Sequence, residues 1–261
     1  GKNLGKKNET TPHQQAENEA KSKWTAQLDK GYVEDRERAL RGESDVLVTP
    51  MLAHQYADHK HKMVWPAIAQ LKLNGMRCLA VCNPEHRTVN LYSKKGKKIT
   101  TMGHIESQLA DILFEKLDIN ETLVLDGELY LHELADELET TISKIRRDKP
   151  VEGSEKIEYH VYDIVDENTD QGARYLGLQS IARYATTSES IKIHPYKYLE
   201  KDEIEESLEK AVEDGYEGLI IRNPEGVYES KRSYNLLKYK PVYDGEFEIV
   251  GIHKEGKGKL K

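Results

Sequence analysis

The stretch AIAQLKLNGMRCLAVC, residues 67–82, decides how the fold is read. Two apolar runs, 67–73 and 76–82, flank the dipeptide Asn74-Gly75. Asn-Gly is the strongest short-range hairpin signal, because both turn positions need positive φ. The expectation is two paired strands with Lys72 held near the tip of a hairpin. A lysine there also has a plain purpose, since charged side chains on edge strands discourage aggregation. Which purpose Lys72 serves depends on what the rest of the chain sets around it.

The chain has 261 residues, 37% hydrophobic and 33% charged. This is the composition of a soluble globular protein of one large or two small domains. No apolar run approaches the roughly 20 residues that span a bilayer. The first residues, GKNLGKKNETTPHQQ, lack the apolar core of a signal peptide. The two cysteines, Cys78 and Cys82, fall on one predicted strand, too close for a disulfide in extended geometry. They read as free buried thiols of a reducing compartment, without companion ligands at zinc spacing. The net charge of −7 argues against a coat of positive charge for indiscriminate nucleic-acid binding. Local basic clusters remain in SKKGKK (93–98), KIRRDK (144–149) and HKEGKGKLK (253–261), each of which also reads as a solvated loop.

Residues 1–45 read as a tail and a helix from Gln14 to about Lys30. A compact region follows at 46–241. In it HIESQLADILFEKL is an amphipathic helix with Ile105, Leu109, Ile112, Leu113 and Leu117 on one stripe. TLVLDGELYLH alternates, with Leu123, Leu125, Leu129 and Leu131 on one face and Asp126, Glu128 and Tyr130 on the other. KDEIEESLEKAVEDG is a second helix, Ile204, Leu208, Ala211 and Val212 inward, stopped by Gly215. KIEYHVYDIVD, EGLIIRNP and YNLLKYKPV read as strands. Strands and helices mix without regular βαβ alternation, so the class is α+β with largely antiparallel sheets. DGEFEIVGIHKEGKGKLK opens a new alternating strand without a closing element. A second, β-type domain is expected to start near Tyr243, and the initial Gly also predicts a trimmed chain.

Several polar sets stand on these strands: Lys72 with Asn74, Gly75 and Arg77; Glu128; Tyr162; Glu217; and Lys238 with Lys240. Each has a structural alternative. Glu128 could be an exposed carboxylate, Glu217 a helix-end residue, Tyr162 core, and the lysine pair a solubility device. Together they supply a nucleophile, carboxylates for a metal and for ribose, a ring for a base, and cations for phosphate oxygens.

The wording and order of KLNG, SKKGK, LDGELY, YHVYD, EGLIIRNP and LLKYKP resemble the covalent nucleotidyltransferases, and among them the ATP-dependent DNA ligases of compact phage and viral kind. The resemblance implies an ATP-grasp-like adenylation domain of antiparallel sheets flanked by helices at 46–241, then the start of an OB-fold at 242–261. It implies that Lys72 attacks the α-phosphate of ATP, forms lysyl-AMP and releases pyrophosphate. Gln70 and the backbone at Leu71 would meet the adenine edge, and Tyr162 would stack on its face. Glu128, with Arg77 nearby, would bind ribose. Glu217 and Glu128 would hold Mg²⁺ (or Mn²⁺), and Lys238 and Lys240 would contact the nucleotide phosphate. Lys94, with Lys95, would touch DNA. Nicked duplex DNA as partner, a monomer, and a cytoplasmic or otherwise intracellular setting complete the expectation. RNA ligase, mRNA-capping guanylyltransferase and a catalytically lapsed DNA-binding relative are the alternatives. Two features depart from the family: Asn74 stands where it has aspartate, and its final motif, in the OB domain, is absent.

Only about one free lysine in a thousand or fewer is neutral at pH 7. Nearby cations and removal from water both favour the neutral, nucleophilic amine, and a rigid mounting keeps it in line with the phosphate.

Overall fold

The computed structural model describes residues 3, 5–7, 9–28, 34, 36, 49–135, 137–242 and 251. In chain order its elements begin with α1 (Pro12–Leu28), β1 (Leu52–Gln55) and the short α2 (Tyr56–His59). Then come β2 (Ala67–Lys72), β3 (Met76–Asn83), β4 (Thr88–Ser93), β5 (Lys98–Ile99), α3 (Gly103–Ala110) and β6 (Leu123–Tyr130). The remainder comprises α4 (Leu138–Ile145), β7 (Glu158–Ile164), α5 (Gln171–Ala185), β8 (Ile191–Ile193), β9 (Lys197–Leu199), α6 (Ile204–Glu213), β10 (Gly218–Arg222) and β11 (Arg232–Tyr239).

These strands form two sheets, one of order β1-β11-β10-β2-β9 and one of order β5-β4-β3-β6-β7-β8. All pairings are antiparallel except β1 with β11 and β7 with β8. The α+β class with mainly antiparallel sheets is the observed one.

The hairpin is not. β2 pairs with β10 and β9, whereas β3 pairs with β4 and β6 in the other sheet. Leu73–Gly75 is therefore a crossing between sheets, and neither Asn74 nor Gly75 has positive φ. The glycine is needed for a different reason. A Cβ at Gly75 would sit 2.4 Å from the Leu129 carbonyl oxygen and 2.8 Å from Glu128 Cγ, so only a bare backbone passes so close to β6. Asn74 Nδ2 donates to the Ala135 carbonyl (2.9 Å), which ties the crossing to the segment after β6. Lys72 thus ends the strand of one sheet, while Arg77 is the second residue of the strand that opens in the other.

Each sheet has its own core. The six-stranded sheet packs Cys78, Leu91, Leu125, Leu129 and Tyr159 against Ile105, Leu109, Leu113 of the α3 region and Leu178, Ile181 of α5. The predicted stripe on α3 is largely as expected, but after Ala110 the helix continues with π-helical geometry over Asp111–Lys116. The wider turn lets Ile112, Leu113 and Phe114, three consecutive residues, all bury. Under the five-stranded sheet, Leu219, Ile221 and Leu237 meet Ile204, Leu208 and Ala211 of α6. That helix ends as expected, with Gly215 at φ 83° and Tyr216 N donating to the Ala211 carbonyl (2.9 Å). Cys78 and Cys82 are free and buried. The predicted N-terminal helix is present as α1, although Lys30 lies outside the described residues, as does the expected β-type domain beyond Tyr243 apart from residue 251. Among the described residues, no helix is long and apolar enough to cross a membrane.

Candidate active site

The cleft between the sheets, about 340 Å³, falls in the range of small-molecule sites. Its lining joins Gln70, Leu71 and Lys72 of β2 with Arg77 and Glu128 of the second sheet, Tyr162 of β7, and Arg222, Arg232 and Lys238 of β10 and β11. Lys94, from the β4–β5 turn, also reaches it, while Lys95 is exposed and outside this lining.

At one end the Lys72 amine forms an ion pair with Glu217 Oε2, and Lys240 Nζ donates to the other oxygen, Oε1 (2.9 Å). Glu217 is brought there because its backbone N–H donates to the Lys72 carbonyl (3.0 Å), extending the β2–β10 ladder by one residue. Burial alone would raise the Glu217 pKa, but the bonds from Lys72 and Lys240 outweigh it and hold the carboxyl below its usual range. Lys238 projects from β11 into the cleft; Lys240 lies one residue past the end of that strand. Burial lowers the pKa of Lys238, and repulsion from Lys240, Lys72 and Arg232 lowers it further against the opposing pull of Glu217.

In the middle stands Glu128. Burial pushes its carboxyl up to about 7, although the charges of Lys72 and Arg77 pull it down. Tyr162 donates its hydroxyl to Glu128 Oε2 (3.4 Å). The polar face of β6 is therefore not a solvated one: Asp126 is fully buried and Tyr130 nearly so. Asp126 accepts from Arg77 Nε (2.9 Å) and from the Tyr228 hydroxyl (2.8 Å). Arg77 is thus held on Asp126, with its guanidinium 5.8 Å from the centre of the Tyr162 ring. The Arg222 guanidinium stands at the same distance from that ring.

Beyond Tyr162 lies a group of residues that the sequence singles out only in part. Asp163 accepts from Arg174 Nε (2.8 Å) and Arg222 Nη1 (2.6 Å), all three being almost wholly buried. Gln171 Oε1 accepts from Arg174 Nη2 (2.6 Å) and Arg222 Nη1 (3.1 Å). Arg222 Nε donates to Gln70 Oε1 (2.9 Å), and Gln70 Nε2 donates to the Tyr162 carbonyl (3.4 Å). Asp163 and Arg222 sit inside the quoted runs YHVYD and EGLIIRNP, where the residue types were visible but not their partners. His194, which also lines the cleft, carries no motif at all.

The arrangement joins an amine and a carboxylate at one end, an aromatic ring with buried polar groups at the other, and a titrating carboxyl between them. Among the described residues, no three His, Cys, Asp or Glu side chains cluster as a metal site. Any cation would share one or two carboxylates with a ligand's own oxygens, which is how Mg²⁺ commonly binds.

Residues 50–240 match the family described as the ATP dependent DNA ligase domain. The chain is 29% identical over 271 residues to the DNA ligase of African swine fever virus (strain Badajoz 1971 Vero-adapted), covering 99% of this chain and 61% of the relative. It is 27% identical over 253 residues to the DNA ligase of Enterobacteria phage T4, covering 81% of this chain and 52% of that one. Of solved structures, Pmar-Lig_PreS3 superposes with a TM-score of 0.67 at 26% identity, over 78% of this chain and 49% of its own. The chain therefore spans less than two thirds of the length of these relatives.

Proposed function

We propose, from the premise that this chain belongs to the family of ATP-dependent DNA ligase domains, that it transfers adenylate from ATP to Lys72 and onward to DNA. The observation that carries this reading is the meeting of Lys72, Glu128, Glu217 and Lys238 around one cleft from four separate strands or strand ends. In the first step the Lys72 nitrogen bonds to the α-phosphorus, the bond to the pyrophosphate oxygen breaks, and the amine's proton leaves. A paired ammonium has no lone pair to offer. The Lys72–Glu217 pair must open and the proton depart before attack.

The family's Mg²⁺ fits Glu217, with Glu128 as a second candidate carboxylate. When bound, it would neutralise charge on the transferring phosphate. Lys238 and Lys240 would add positive charge to the phosphate oxygens. Tyr162, with the Arg77 and Arg222 guanidiniums each 5.8 Å from its ring centre, would supply the aromatic surface for the base. Glu128, near half-ionised at pH 7, can accept from ribose hydroxyls as carboxylate or donate as the acid. Adenylate then passes to a 5′-phosphate at a nick in duplex DNA, and a 3′-hydroxyl displaces AMP to seal it. Lys94, which lines the cleft, would contact that phosphate, and the exposed Lys95 the strand outside it. A monomer acting inside cells accords with this chemistry.

The test is sealing of nicked duplex DNA by the full chain with ATP and Mg²⁺. Sealing is expected, with none by Lys72→Ala. An adduct formed from GTP alone would point to a capping enzyme, and sealing of RNA nicks alone to an RNA ligase. DNA binding without any nucleotide adduct would mean a lapsed relative.

A further inference from the structure

We propose that His194 is a base-reading residue, its Nδ1 accepting a hydrogen bond from the exocyclic amine of adenine. The inference rests on the adenylyl-transfer reading above and names the residue that would set its preference for ATP.

His194 is 4% exposed and lines the cleft. It follows β8 directly, and its Nε2 lies 2.9 Å from the Leu71 carbonyl, one residue before Lys72. A carbonyl can only accept, so Nε2 carries the proton. In the neutral ring Nδ1 is then a bare acceptor. The ring is neutral at working pH: burial pulls its pKa down to about 4, with the charges of His160 and Arg222 adding to burial against the Leu71 bond. Among the described residues Nδ1 has no hydrogen-bond partner. Yet among the described residues no buried side-chain nitrogen or oxygen lacks a partner. Nδ1 is therefore not sealed in, and the space it meets is the cleft.

Gln70 sharpens the argument. Its Oε1 is occupied by Arg222 Nε, so the amide that remains is a donor. Near the Leu71 backbone the cleft thus offers a donor, Gln70 Nε2, and an acceptor, His194 Nδ1. Adenine presents the complement: a bare ring nitrogen beside an amino group. Guanine carries an oxygen where adenine has that amine, and would set two acceptors face to face. Purine riboside, with hydrogen there, would leave Nδ1 unpaired.

Single-turnover adduct formation with ATP, GTP and purine riboside 5′-triphosphate tests this on the full chain. Wild-type protein is expected to favour ATP over the purine riboside nucleotide by roughly ten-fold, the scale of one buried hydrogen bond. In His194→Ala the ratio should fall to about two-fold or less. Loss of the bond to Leu71 affects both nucleotides alike and cancels from the ratio. Should the alanine variant not fold, His194→Leu keeps the packing volume and serves the same comparison. A wild-type ratio near one, or a ratio unchanged in the variant, overturns the proposal while leaving the ligase reading intact. Absence of any adduct from wild-type protein defeats the ligase reading itself.

Discussion

Two groups of paired charges stand at opposite ends of the cleft. In one, Lys72 and Lys240 meet Glu217, with Lys72 and Glu217 side chains 21% and 26% exposed. In the other, Arg174 and Arg222 meet Asp163, with exposures of 1%, 3% and 0%. The chemistry is the same, carboxylate against cations, but the access to water differs. A half-open pair costs little to part, so its members can turn to a substrate. A sealed one cannot part without stranding charge in a medium of low dielectric, so its members can only hold position. What Asp163 holds is the floor of the proposed base site: Arg222, and through it Gln70 and the Tyr162 ring.

The contrast is most exposed to failure at Asp163. Asp163→Asn leaves two buried guanidiniums short of their counter-charge and should cost about 3–5 kcal/mol in urea denaturation. A loss under about 1 kcal/mol would mean the network is not the scaffold described.

Glu128 lies between the two extremes and gives a pH signature. Its folded pKa, about 7, stands above that of an unfolded carboxyl. Its favourable contribution is thus fully present below the unfolded value near 4.3 and is lost as pH rises through 7. Glu128→Gln should therefore be more stable than wild type at pH 8, with the gap closing toward pH 4. Thermal unfolding across that range checks it, and a gap that widens on acidification would reverse the assignment.

The smallest effect is expected at the open end. Lys72→Ala should change stability by less than about 1 kcal/mol, as partly exposed ion pairs generally do, while abolishing sealing. A loss comparable to that of Asp163→Asn would erase the distinction between the two ends.

Much of the open end is legible in the sequence. Lys72, Glu128, Tyr162 and Lys238 occupy short runs that read as strands, and Glu217 stands at the mouth of another. The crossing at Asn74-Gly75 was not legible, because Asn-Gly states a local preference, whereas β2 finds its partners about 130 and 150 residues downstream. The dipeptide predicts a turn glycine, whereas Gly75 serves close passage beside Leu129. The sealed end was least visible. Arg174 lies on a helix with no motif, and its value depends on Asp163 and the Gly226 carbonyl, 11 and 52 residues away. Likewise the π-helical turn at Asp111–Lys116 buries three consecutive residues, a pattern that a regular 3.6-residue period does not anticipate.

The most direct measurement is digestion of the full chain after reaction with ATP and Mg²⁺, followed by mass mapping of the modified peptide. A single AMP group on the side chain of Lys72 is expected. An adduct on any other residue, or none with Lys72 intact and the protein folded, would contradict it.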